Sequence, residues 1–228
     1  MPERAQTRAG IGFFVLLAGA GASLAAPVHA AGSPGEFDYY ALTLSWSPSW
    51  CETEGKGKTG LQCSGTRPYA FVLHGLWPQY TKGWPENCRT AQRPWVPRAL
   101  IDSMLDIMPA RALVIHEYRK HGTCSGLGPE AYYALSRKLF ERIKIPARYL
   151  RPSKPVVVSP QEIETDFLKT NRDLEPNMIS VACGSGRRLK EVRICFSKAH
   201  ALTPCGQNED QAKLCSLEKI VMPPVRGK

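Results

Sequence analysis

Tyr40, Leu42, Leu44 and Trp46 alternate with smaller or polar residues, the period-2 pattern of a half-buried strand. Tyr69–Leu73 is a second apolar run of strand character that delivers His74 at its end, where Gly75 and Pro78 are expected to break regular structure. Between the two, residues 52–60 are polar and glycine-rich and read as an exposed loop. Pro97 opens a helix expected to reach Met108, with Leu100, Ile101, Met104, Leu105 and Met108 on one side. A second helix is expected over 112–121, stopped by Gly122 as its C-cap, and a third over 129–143. Ser159-Pro160-Gln161-Glu162 has the pattern of a capping box with proline at the first helical position, and starts a fourth. Ile179–Cys183 and Leu189–Phe196 are strands joined by Gly184-Ser185-Gly186, with Val192, Ile194 and Phe196 on one face. Helices in the middle and strands at both ends predict an α+β class: a single domain, mainly an antiparallel sheet with helices packed against it.

The N-terminus changes the picture of where this fold works. Arg4 and Arg8 precede an apolar, Ala/Gly-rich run from Ile11 to Ala26, followed by small residues suited to cleavage after Ala30. Residues 1–30 therefore read as a secretory signal peptide, too short and interrupted for a membrane anchor, leaving 31–228 as one domain. A periplasmic or secreted protein is expected, with no membrane contact. All eight cysteines lie beyond this segment, and an even count in an exported chain implies four disulfides in an oxidising compartment. No Cys-X-X-Cys pair suggests a zinc ribbon or a redox motif. The formal charge is +10, and removing Arg4, Arg8 and Glu3 leaves about +9. That excess favours a polyanionic partner, nucleic acid before anionic membrane.

Three of the four histidines beyond the signal fall in two short segments, Phe71–Pro78 and His116–Cys124; His200, outside both, reads as structural. If 116–121 is helical, Glu117 and His121 are four apart, as are His116 and Lys120, on adjoining faces. One surface then presents two imidazoles, a carboxylate and a fixed cation. RNA cleavage without metal needs such a set. A general base takes the proton of the 2′-hydroxyl, a general acid protonates the leaving 5′-oxygen, and a cation offsets charge developing on the phosphate oxygens. Histidine serves as acid and base because its ordinary pKa lets one copy be neutral while another is charged. Against a metal site, His116 and His121 are five apart rather than four, and Lys120 repels a cation. Glu117 and Lys120, three apart, also fit a simple surface ion pair.

The two segments resemble the active-site motifs of the ribonuclease T2 family of secreted endoribonucleases. His-Gly-Leu-Trp-Pro is intact at 74–78, and His-Glu-Trp-any-Lys-His-Gly-Thr-Cys stands at 116–124 except for Tyr118 in place of Trp. Leu44–Cys51 is similar to the family's first strand, with Ser47 where a proline is frequent. The resemblance implies His74 as general acid of the first step and His121 as its general base, with Glu117 and Lys120 stabilising the pentacovalent phosphorus species. It implies His116 as an auxiliary phosphate-binding residue and Trp77 as an aromatic of the base pocket. Gln79 stands where some relatives carry a base-selecting acid, so base preference does not carry over. Spacing and the resemblance together imply Cys51–Cys63, Cys88–Cys124, Cys183–Cys215 and Cys195–Cys205, a pairing the count alone leaves open. The implied activity is endonucleolytic cleavage of single-stranded RNA through a 2′,3′-cyclic phosphate to 3′-phosphate ends. It needs no metal or cofactor and leaves DNA uncut, and a monomer is expected. A non-catalytic RNA-binding or cytotoxic protein on the same scaffold, and a metal-dependent phosphoesterase, are the competing readings.

Overall fold

The computed structural model describes Met1 and residues 32–57, 60–64, 67–91 and 93–226. Met1 apart, the expected signal segment and its cleavage site lie outside the described residues. In chain order the elements are β1 (Tyr39–Trp46), α1 (Ser47–Glu52), α2 (Leu61–Ser64), β2 (Phe71–Gln79), α3 (Arg98–Met104), α4 (Arg111–Lys120) and α5 (Pro129–Arg142). They continue as β3 (Val156–Val158), α6 (Pro160–Thr170), β4 (Ile179–Gly184), β5 (Arg188–Ser197), α7 (Gln211–Leu214) and β6 (Ile220–Met222). The strands form one sheet in the order β2-β1-β5-β6-β3, with β4 also on β5. Every pairing is antiparallel except β5 with β6.

One sheet face makes the core. Tyr40, Leu42, Leu44 and Trp46 of β1 lie beside Leu73 and Leu76 of β2 and Val192, Ile194 and Phe196 of β5, all buried. Helical residues such as Met104, Val114, Tyr132, Tyr133, Ile163 and Phe167 cover them. On the other face β1 offers Tyr39 at its start and then only Ala41, Thr43 and Ser45, which leaves room above the middle and far end of the strand. The register places Thr43 beside Gly75 and Arg193, and Ser45 beside Glu191.

Four local expectations are revised. β2 does not end at His74 but continues through Gly75 and Pro78 to Gln79. It is an edge strand, so a proline without an N–H is tolerated there. Ser47–Glu52, inside the segment likened to a first strand, is the helix α1, with Pro48 in its first turn. The helix opened by Pro97 stops at Met104, because the chain turns to aim the Ile107 carbonyl at the edge N–H of Leu73, 2.9 Å away. Gly122 does not cap α4; the chain continues as a 3-10 turn over Gly122–Ser125, and the left-handed residue is Gly126 at φ 78°. Gly122 is instead required by close packing, since a Cβ there would meet the Tyr118 ring.

Other expectations hold. The capping box forms, with the Ser159 hydroxyl accepting from the Glu162 N–H and the Glu162 carboxylate from the Ser159 N–H. The disulfides are Cys51–Cys63, Cys88–Cys124, Cys183–Cys215 and Cys195–Cys205.

Candidate active site

A β-bulge places the first imidazole. Thr43 pairs with Gly75 and Leu44 with Leu73, so His74 is the extra residue of β2 between two consecutive residues of β1. The bulge shifts the alternation by one position: Phe71 and Leu73 face the core before it, Leu76 after it, and both His74 and Trp77 are freed for the opposite side. Gly75 has no side chain for a reason, because a Cβ there would run into the Glu117 carboxylate and the Trp77 indole.

α4 packs against β2 and supplies the rest. Val114 and Tyr118 anchor it in the core, and the same helix end presents His116, Glu117, Lys120 and, at its C-cap, His121. Glu117 is buried at 1 % exposure; its Oε2 accepts from Trp77 Nε1 at 2.7 Å and its Oε1 lies 3.6 Å from His74 Nε2. Trp77 is the hub of the group. Its ring is stacked on His121 at 5.1 Å, meets His74 edge-on at 5.2 Å, and carries the Arg193 guanidinium 5.0 Å from its centroid. Lys120 pairs with Glu86 at 3.4 Å, and the loop holding Glu86 is tied to the helix end by Asn87 N–H to the Lys120 carbonyl and by Cys88–Cys124.

The two central imidazoles are biased in opposite directions. Burial pushes the His74 pKa down, but the hydrogen bond with Glu191 and the charges of Glu117 and Glu191 outweigh it against Lys190, so the net shift is upward. Burial pushes His121 down to about 3, and the charges of Lys120, His74, His116 and Arg193 act the same way. Burial raises Glu117 to about 6 although the His74 charge and the Trp77 hydrogen bond oppose it. His116, only partly buried, is lowered by burial and by Lys120 and His74. The arrangement thus favours a charged His74 and a neutral His121 on one indole.

His74, His116, Glu117, Lys120, His121 and Trp77 are brought together. Gln79 is not: it is 3 % exposed, and its side-chain carbonyl accepts from Asn208 at 3.0 Å, so it offers no free edge to a base. His200, at φ 66°, lies apart in a turn. Sequence reasoning missed Glu191 and Arg193, two apart on the face of β5 opposite Val192 and Ile194. Opposite charges at alternate positions of an apolar strand were the available signal. Among the described residues, no three His, Cys, Asp or Glu side chains are grouped to hold a metal ion. Beside His74 opens a cleft of about 220 Å³, whose lining includes Ser45, Ser49, Trp50, Val72, Leu113 and Lys190.

This geometry is joined by a sequence match: the Ribonuclease T2 family profile covers residues 37–205, spanning both histidine segments. The chain belongs to the ribonuclease T2 family. It is accordingly an endoribonuclease. It is 37 % identical over 175 residues to a ribonuclease of Aeromonas hydrophila, covering 75 % of this chain and 77 % of that one. It is 26 % identical over 209 residues to ribonuclease I of Escherichia coli, covering 74 % and 78 %. The fold of this ribonuclease is similar to that of an RNase-related protein from Calystegia sepium, at TM-score 0.66 and 24 % identity over 84 % of this chain and 99 % of the other.

Proposed function

We propose that this ribonuclease cleaves single-stranded RNA by metal-independent transphosphorylation, with His121 as general base and His74 as general acid. The observation that carries this is the opposite bias of the two imidazoles against Trp77. His121, held neutral, takes the 2′-hydroxyl proton as the 2′-oxygen attacks phosphorus. His74, held charged, gives its Nε2 proton to the 5′-oxygen as the P–O5′ bond breaks. Lys120 and Glu117 stabilise the phosphorane, and His116 binds phosphate. The cleft opens on the His74 side, so it receives the leaving nucleoside. The cyclic phosphate is then hydrolysed to a 3′-phosphate. Residues 1–30 direct export to the periplasm or medium, and the mature chain acts as a monomer.

Purified protein assayed on RNA and DNA, with and without EDTA, tests the reading. RNA alone should be cut, through a cyclic phosphate, and EDTA should change nothing. His74→Ala and His121→Ala should each lose a factor on the order of 10²–10⁴ on RNA. Cleavage of DNA, or cyclic phosphate formed by His121→Ala at near the original rate, is incompatible with this chemistry.

A further inference from the structure

Two carboxylates flank the His74 ring, and they are not equivalent. Glu117 lies on the Nε2 side at 3.6 Å, where the scissile phosphate must come. Glu191 lies on the opposite side, with Oε1 2.8 Å from Nδ1, and is fully buried at 0 % exposure while the His74 side chain is 29 % exposed. Its second oxygen is held by Arg193, through Nε at 3.3 Å and Nη2 at 3.1 Å. Arg193 reaches on to Glu209 at 3.5 Å, and Glu209 accepts from the Tyr39 hydroxyl. Burying a carboxylate is costly unless both oxygens are satisfied, and here one of the two contacts is the imidazole itself.

We propose that Glu191 is a positioning residue for His74: it accepts the Nδ1 proton, fixes the ring, and leaves Nε2 as the nitrogen through which the proton reaches the 5′-oxygen. This rests on His74 being the general acid. When the P–O5′ bond breaks, the Nε2 proton goes to O5′, the Nδ1 proton stays between His74 and Glu191, and the ring becomes neutral. The charged and titratable groups acting on His74 are Glu191 and Lys190 from β5 and Glu117, His116 and His121 from α4, with Arg193 acting through Glu191. Their balance is dominated by the carboxylates. Glu191 is itself pulled down to about 2: burial raises it, but the His74 hydrogen bond and charge, Arg193 and Lys190 outweigh that, so it remains an anion through the working range.

The test compares two substrates and follows the ring directly. Glu191→Gln should lower kcat on RNA by at least about tenfold with KM little changed, and should move the alkaline limb of the rate profile down by about one pH unit. On uridine 3′-(4-nitrophenyl phosphate), whose leaving group departs without protonation, the same variant should stay near the original rate. Glu191→Asp should recover part of the loss on RNA. In the unaltered protein, ¹⁵N NMR should show neutral His74 protonated at Nδ1 and titrating above an ordinary imidazole, a reading that needs no variant to fold. Neutral His74 protonated at Nε2, or Glu191→Gln losing the same factor on both substrates with an unmoved pH profile, overturns the proposal. If His74→Ala loses equally on both substrates, the assignment of His74 as acid is what fails, whatever Glu191 does.

Discussion

His74 and His121 both contact the Trp77 indole, and in the proposed roles of acid and base their opposite pKa shifts should set the pH dependence. A base must be neutral, so activity falls as pH drops through the lowered His121 value near 3; an acid must be protonated, so it falls again as pH rises through the raised value of His74. The kcat/KM profile on RNA should be a bell wider than two unperturbed imidazoles would give, its limbs belonging to the coupled pair of the free enzyme. A narrow bell centred on ordinary imidazole values would contradict the biased pair. Trp77 is tested at the same scale. Trp77→Phe keeps a ring against His121 but removes the Nε1 donor to Glu117. Loss of a hydrogen bond to a charged group, about 1.5–3 kcal/mol, should lower kcat on the order of 10- to 100-fold. A change confined to KM would point to base binding as the main use of the ring.

At the scale of elements, the bulge in β2 and the end of α4 make the site by meeting. Gly75 is where they touch, and Gly75→Ala would push a methyl group into the Glu117 carboxylate. The variant should be about 1–3 kcal/mol less stable in urea denaturation, the usual cost of overpacking, and should lose RNA cleavage beyond what its folded fraction explains. Unchanged stability with full activity would mean that Glu117 has space to yield. β5 is the third contributor: its apolar face is core, while its other face sends Glu191 to His74 and Arg193 to Trp77.

For the whole molecule, disulfides and net charge matter most. Cys88–Cys124 closes the loop carrying Glu86 onto the segment just after His121. Replacing both cysteines by Ala should cost about 2–4 kcal/mol in stability and lower activity, because the Lys120 environment loosens with the loop. Thermal melting and RNA cleavage on the same sample check both halves. The charge of about +9 beyond the first thirty residues should make RNA binding largely electrostatic. Log affinity for single-stranded RNA should fall linearly with log salt, at about 0.7 per phosphate contacted. A salt-independent affinity would place recognition in the bases instead.

What could be read without coordinates was local or periodic. The capping box at Ser159, the α5 helix, the strand pattern of β1 and the spacing of His116, Glu117, Lys120 and His121 depend on residues a few positions apart. Helix and strand geometry turn that spacing directly into a shared face. The resemblance added the acid and base roles of His74 and His121 and, together with spacing, the cysteine pairs. The bulge was not legible, because it is a relation between β2 and β1 and not a property of Gly75 or Pro78. Nor were the burial of Gln79 under Asn208 and the turn that shortens α3 toward Leu73. Glu191 is 117 residues from His74 in the chain, and nothing local marks it as that ring's partner. The sequence alone therefore determined most of the candidate side chains of the site and most of the elements that carry them. Tertiary structure decided which imidazole is held charged and which neutral, because burial and the charges that cross between β2, β5 and α4 exist only once those elements have packed.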